Sequence, residues 1–154
     1  MLTSFLIASL ICLALIVVGV VIFYEILAHL WLFLPRIEGR PRTQIMATIL
    51  AAFAGHTAVI WLFGITYYVL ANYTQFGTLG GVEEHHLLNY IYFSGVTYSS
   101  LGLGDVYPKG DMRLMIAVEA ILGLILIGWT ITITYFATEK YLIHKREKHG
   151  KHSH

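Results

Sequence analysis

Residues 97–105 read Thr97-Tyr98-Ser99-Ser100-Leu101-Gly102-Leu103-Gly104-Asp105, and they indicate the fold more specifically than any other part of the chain. Two glycines flank one bulky residue, hydroxyl side chains precede them, and an acid follows. Glycine adopts the positive φ angles that a backbone needs when its successive carbonyls point in one direction. A ring of such carbonyls can replace the water shell of a monovalent cation. We therefore expect residues 100–105 to bind cations through their backbone.

The chain around this stretch is strongly apolar. It has 154 residues, of which 57% are hydrophobic and 12% charged, and its mean hydropathy is +0.70. Residues 1–24 and 43–75 contain no charged side chain, and residues 115–138 contain only Glu119. Each of these stretches is long enough to cross a bilayer core of about 30 Å, which takes roughly 20 residues. The pattern predicts three membrane-spanning helices and argues against a soluble enzyme.

Proline, glycine and charged residues divide the chain into segments. The first apolar run is too long for the apolar region of a signal peptide, so we expect a retained N-terminal helix over residues 1–35. A basic connection at 36–42 follows it. Beyond this connection we predict an outer helix at 43–73, an outer loop at 74–86, a short helix at 87–99 and an inner helix at 111–141. A basic, histidine-rich tail occupies residues 142–154.

The positive charges predict the orientation of the chain in the membrane. Of the ten Lys and Arg residues, only Lys109 and Arg113 lie outside the region of the 36–42 connection and the C-terminal end. By the positive-inside rule, that connection and the tail are cytoplasmic and the N-terminus lies outside. We expect a multi-pass protein of the plasma (inner) membrane, with the lipid bilayer as its surroundings and no nucleic-acid partner.

A span, a short helix, a glycine-rich loop and a second span resemble the plan of the potassium channel superfamily. Residues 99–105 line up with that family's Thr-Thr-Val-Gly-Tyr-Gly-Asp selectivity filter, and the Gly-Leu-Gly-Asp form is similar to the second pore of two-pore-domain potassium channels. The inner helix also resembles that of small bacterial ion-channel proteins with one pore domain. The resemblance covers residues 43–141, which it identifies as a pore domain with a filter segment at residues 100–105.

The resemblance implies a homotetramer, because one chain supplies a quarter of the ring. Potassium would be coordinated by Ser100, Leu101, Gly102 and Leu103, and no cofactor other than this permeant ion is expected. The filter segment continues through Gly104 and Asp105. The pore helix that would support it is residues 87–99, with the supporting residues Tyr92, Phe93, Thr97, Tyr98 and Ser99.

Three departures from the family pattern bear on the filter. Leu103 replaces a tyrosine, so its side chain cannot hydrogen-bond behind the filter. Ser100 lacks the methyl group that stiffens threonine. Val96 stands where some members have a glutamate that pairs with the filter aspartate, so we expect Asp105 to find Tyr92 or Tyr98, or to stay solvated. A weakly selective monovalent cation channel is therefore an alternative.

Polar residues and glycines within the spans are further candidates. A charge near the bilayer centre costs about 2.5–3.5 kcal/mol on insertion scales, so we expect Glu119 to have a partner. Counting from the helix ends places His56 at a similar depth, which predicts a His56–Glu119 hydrogen bond acting as a polar clamp or a proton-sensitive gate. Gly123 and Gly128 are possible hinges of the inner helix, or sites of close helix packing.

Two other functions remain open at this point. A non-conducting accessory subunit would keep the pore fold without a working filter. A membrane haem or redox protein that uses His56 and another histidine is a distant alternative, because His29 lies too close to the interface to share one cofactor with His56.

Overall fold

The computed structural model describes residues 2–33, 41–74, 76–82 and 85–150. Its elements are α1 (Leu2–Phe33), α2 (Pro41–Tyr73), β1 (Gly77–Gly80), α3 (Leu87–Tyr98), β2 (Tyr107–Gly110) and α4 (Met112–Gly150). Within the described residues, three segments are long and apolar enough to cross a membrane: Phe5–Leu32, Arg42–Tyr73 and Met112–Glu139. The predicted α-helical fold with three spans and a short helix before the last one is confirmed.

Local sequence explains where the helices begin and end. α2 begins at Pro41, whose fixed φ suits the first helical turn. α3 ends at Tyr98 rather than at residue 99, because Ser100 takes a φ of +57° that no right-handed helix continues. α4 runs on to Gly150 instead of ending at residue 141, since the sequence there is rich in Lys, Arg, Leu and Glu, which favour helix.

α2 lies at the centre of the packing and contacts α1, α3 and α4. The buried core draws an aromatic or large apolar side chain from each helix: Phe23 from α1, Phe63 from α2, Phe93 from α3 and Leu126 from α4. The N-terminal helix therefore belongs to the same core as the rest of the chain. It packs against both α2 and α4.

Glycines allow α3 to approach its two neighbours closely. A Cβ on Gly64 of α2 would lie 2.8 Å from the Cα of Ile91 in α3, and a Cβ on Gly123 of α4 would collide with the carbonyl of Tyr98 at the end of α3. Small residues commonly serve this purpose between helices in membranes. These contacts seat the short helix between α2 and α4.

A two-stranded antiparallel sheet closes the structure on the side where α3 begins. Gly77 pairs with Gly110 and Gly80 with Tyr107, so β1, which precedes α3, is joined to β2, which follows the filter segment. From the sequence we predicted only a loop at 74–86 and no strand. The glycines and the proline of these strands have little β propensity. The strands pair because the fold brings the chain before α3 next to the chain after the filter segment.

The surface of the spans is apolar. Leu10 on α1, Phe53 on α2 and Ile131 on α4 are among many large apolar side chains that are mostly exposed in the single chain. Apolar surface on this scale marks contact with a membrane or with other protein.

Candidate functional site

The sign of the φ angle alternates from residue to residue along the filter segment. Ser100, Gly102 and Gly104 have φ angles of +57°, +56° and +80°, whereas Leu101 and Leu103 between them keep negative φ. Glycine adopts this conformation at little cost, while a left-handed conformation costs a residue with a side chain roughly 1–2 kcal/mol. Ser100, the first residue of the filter segment, is therefore strained. Functional sites are where such strained residues concentrate.

The C-terminal end of α3 holds the start of the filter segment. The amide of Ser100 donates to the carbonyl of Thr97 at 2.9 Å, and the amide of Leu101 donates to the carbonyl of Val96 at 3.0 Å. The side chain of Ser99 donates to the carbonyl of Gly95 at 2.8 Å. These bonds use the last helical carbonyls and fix the direction in which the filter segment leaves the helix.

The far end of the filter segment is anchored through Asp105. The Tyr92 hydroxyl donates to Asp105 Oδ2 at 2.7 Å, and Asp105 Oδ1 accepts from the amide of Val106 at 2.9 Å. The hydrogen bond from Tyr92 is the main cause that lowers the pKa of Asp105 below its ordinary value. Of the three possibilities left by the sequence, the structure selects Tyr92 as the partner.

The predicted supporting residues of α3 divide into two groups. Phe93, Thr97 and Tyr98 are buried, whereas Tyr92 and Ser99 are exposed and bond to Asp105 and to the helix itself. The buried group packs α3 into the core.

His56 joins three helices at the base of the filter segment. Its Nδ1 lies 2.7 Å from the Tyr98 hydroxyl of α3, and its Nε2 lies 2.9 Å from the Thr130 hydroxyl of α4. Thr130 itself donates to the carbonyl of Leu126 at 3.1 Å. Thr130 therefore accepts from Nε2–H, and Nδ1 accepts from Tyr98, which describes a neutral imidazole. The ring of Phe23 from α1 covers it, with centroids 4.9 Å apart.

Glu119 lies in a second polar cluster, which is completely buried. Its Oε2 accepts from the Tyr67 hydroxyl of α2 at 2.6 Å, and its Oε1 lies 2.5 Å from the Ser94 hydroxyl of α3. Tyr67, Ser94 and Glu119 are all 0% exposed. This cluster ties α3 and α4 to α2 near the middle of α3, whereas the His56 cluster does so at its end.

Residues 45–139 match a protein family described as “Ion channel”. The chain belongs to the ion channel family. The match takes in most of α2, all of α3, the filter segment and the membrane-spanning part of α4, and leaves α1 outside it. No curated protein and no solved structure matches the chain. The protein is thus a multi-pass membrane protein of a channel family and not an enzyme.

The predicted hydrogen bond between His56 and Glu119 is wrong. On α2, Tyr67 lies eleven residues beyond His56, and on the antiparallel α4, Thr130 lies eleven residues beyond Glu119. At about 1.5 Å per residue, eleven residues correspond to roughly 16 Å of backbone along each helix, so His56 and Glu119 belong to two separate clusters. Counting from the helix ends failed because α2, at 33 residues, is much longer than a bilayer core of about 30 Å.

Gly123 and Gly128 have different surroundings. The Gly123 site is filled by the carbonyl of Tyr98, so this glycine serves close packing between α3 and α4. At Gly128 an added Cβ would meet no heavy atom within 4 Å in the described part of the chain. A hinge at either position stays a prediction.

Four partners of the buried polar groups were not predicted from the sequence: Tyr67, Ser94, Phe23 and Thr130. All four lie in apolar stretches, where the type of residue does not reveal which way its side chain faces.

Both ring nitrogens of His56 are hydrogen-bonded, so neither is available to bind haem iron. Of the predicted connection and tail, residues 36–40 and 151–154 lie outside the described residues, as do the side chains of residues 140–150.

Proposed function

We propose that four copies of this chain form a potassium-conducting channel. The carbonyls of Ser100, Leu101, Gly102 and Leu103, together with the Ser100 hydroxyl, would take the place of the ion's water shell. The observation that carries this proposal is the alternation of positive and negative φ through the filter segment. A backbone of this kind can turn successive carbonyls toward one side, as a cation site built from backbone oxygens requires.

The orientation of α3 supports the same function. α3 has 12 residues and ends at Tyr98, directly before the filter segment. The C-terminal end of a helix carries roughly half a negative charge, which favours a cation nearby. A cation beside the first residues of the filter segment would therefore be stabilised by the helix itself.

The side chains of the filter segment support an assembly of several copies. Leu101 and Leu103 are 64% and 58% exposed in the single chain. All residues from 99 to 105 are exposed in the single chain, and two exposed apolar side chains among them are unfavourable in water. A neighbouring copy that packs behind the filter segment would cover them, and four copies around one axis would complete a ring of carbonyls.

The degree of selectivity depends on Leu103. Its side chain has no hydrogen-bonding group, so only packing against neighbours can hold this part of the filter at a fixed diameter. The first alternative is therefore a weakly selective monovalent cation channel, and the second is a channel-like accessory subunit that does not conduct.

A flux assay separates these possibilities. Purified protein in liposomes would take up K⁺ in preference to Na⁺ and Cs⁺, and barium would block the uptake. Gly102→Ala should strongly reduce uptake because its φ of +56° is unfavourable for alanine, whereas Gly19→Ala on α1, where an added Cβ makes only ordinary van der Waals contacts, is the matched control. Equal uptake of K⁺ and Na⁺ would support the weakly selective channel. No uptake by the wild type would support the accessory subunit.

We also propose that the sheet side of the protein faces outward and that residues 36–42 and the tail are cytoplasmic, in the plasma (inner) membrane. Thr78 on β1 is exposed, so a Thr78→Cys variant in a Cys12→Ser background presents one accessible thiol. A thiol reagent that cannot cross membranes should label it in intact cells. Protection in intact cells with labelling after lysis would reverse the orientation.

A further inference from the structure

The Glu119 cluster contains more contacts than an ionised carboxylate can satisfy. The Ser94 hydroxyl lies 2.5 Å from Glu119 Oε1 and also 2.8 Å from the carbonyl oxygen of Ile60. On the other side, the Tyr67 hydroxyl donates to Oε2. Ser94 has a single hydroxyl proton, and both of its neighbours are oxygen atoms.

Counting protons distinguishes the two states of Glu119. If the carboxyl is ionised, Ser94 must donate to it, and no proton remains between Ser94 and the Ile60 carbonyl, so two acceptor oxygens face each other at 2.8 Å. If Oε1 carries a proton, Glu119 donates to Ser94 and Ser94 donates to Ile60. Tyr67 donates to Oε2 in either case. In the protonated state every contact holds one proton.

The surroundings of the carboxyl favour the same state. From α2 it faces Tyr67, and from α3 it faces Ser94, with Tyr98 further along that helix; Cys12 of α1 lies near Tyr67. Within the described residues, no Lys, Arg or His side chain forms a salt bridge or hydrogen bond with Glu119. An unpaired charge at this depth is costly in a membrane protein.

We propose that Glu119 is a protonated carboxylic acid that positions the pore helix α3 against α2 through Ser94. The chain of donors runs from Tyr67 to Glu119, then to Ser94, and ends on the Ile60 carbonyl. When Glu119 loses its proton, the Ser94 hydroxyl turns to donate to Glu119. The hydrogen bond from Ser94 on α3 to the Ile60 carbonyl of α2 is then lost. α3 carries the filter segment, so Glu119 is a positioning residue whose ionisation loosens the support of the filter.

The protonation state has a direct measurement. Infrared spectra of the reconstituted protein at neutral pH should contain the C=O stretching band of a protonated carboxyl. This band should disappear in Glu119→Gln and persist in Asp105→Asn, the matched control at an exposed carboxyl. Absence of the band in the wild type, or its persistence in Glu119→Gln, would overturn the proposal.

The positioning role has its own readout, which rests on the proposed function. Cation uptake by the wild type should fall about fivefold from neutral to alkaline pH, the factor expected for the loss of one hydrogen bond. Uptake by Glu119→Gln should be nearly the same at neutral and alkaline pH, because its amide keeps a donor for Ser94 and an acceptor for Tyr67. An equal fall in uptake with pH in both proteins would overturn the positioning role. The expected infrared band without uptake in any variant would instead count against the channel function while supporting the protonated acid.

Discussion

The hydrogen bond between His56 and Tyr98 should be measurable as a coupling energy. His56 on α2 contacts the last residue of the pore helix, Thr130 on α4 and the ring of Phe23 on α1. We predict that His56→Ala and Tyr98→Phe each destabilise the protein, and that the double variant is less destabilised than the sum of the two. Each single change already removes the shared hydrogen bond.

The structure bounds the size of this coupling. The His56–Tyr98 distance is 2.7 Å and Tyr98 is only 2% exposed, so water does not replace the lost partner. A buried hydrogen bond contributes about 0.5–1.5 kcal/mol in soluble proteins, and about 0.6 on average in a membrane protein, with a maximum near 1.7. We therefore expect a coupling of about 1 kcal/mol. His56→Ala alone should cost about 2–4 kcal/mol, because it also removes the Thr130 bond and leaves a space beside Phe23.

Unfolding in mixed micelles, at one protein concentration for all variants, measures these energies. Thr66→Val is the matched control for the cycle, because the Thr66 hydroxyl donates to the Leu62 carbonyl of its own helix and shares no partner with His56. His56→Ala and Thr66→Val should be additive within about 0.3–0.5 kcal/mol. A His56–Tyr98 coupling no larger than this control value would refute the assignment of the bridge.

Two further predictions concern the ends of the filter segment. Gly123→Ala should destabilise the protein by about 1–3 kcal/mol because its methyl group meets the Tyr98 carbonyl. Gly128→Ala should be neutral or stabilising. Equal losses of stability for the two variants in the same unfolding assay would contradict this packing. Tyr92→Phe should raise the pKa of Asp105 toward its ordinary value. The contribution of an acid with a lowered pKa is lost as the pH falls through that pKa, so acid should reduce cation uptake at a higher pH in Tyr92→Phe than in the wild type, and identical pH profiles would refute it.

The parts of the fold that depend on local sequence could be predicted. Uncharged stretches of sufficient length identify the three spans, and the spacing of Gly102 and Gly104 predicts the backbone conformation that the filter segment adopts. Tyr92 was one of the partners expected for Asp105, because both lie on the same short excursion of the chain. In each case the residues that interact are close in sequence or the pattern is purely one of composition.

The partners of His56 and Glu119 could not be predicted in the same way. They depend on how far α2 and α4 slide past each other and on how each helix is rotated, and an apolar sequence carries little information about either. The ends of the spans did not help, because α2 and α4 extend beyond the thickness of a bilayer core. The β1–β2 sheet was missed for a related reason: its two short strands pair only because the rest of the fold brings them together.

The proposed channel requires that the carbonyls of residues 100–103 bind the permeant ion on a four-fold axis. Crystals of the wild-type protein grown with Tl⁺ or Rb⁺ in place of K⁺ would test it through the anomalous scattering of those ions. We expect a row of anomalous peaks on the axis, each surrounded by carbonyl oxygens from four chains: those of Ser100, Leu101, Gly102 and Leu103. Filter segments that do not meet around one axis, or anomalous peaks bound elsewhere in the protein, would contradict it.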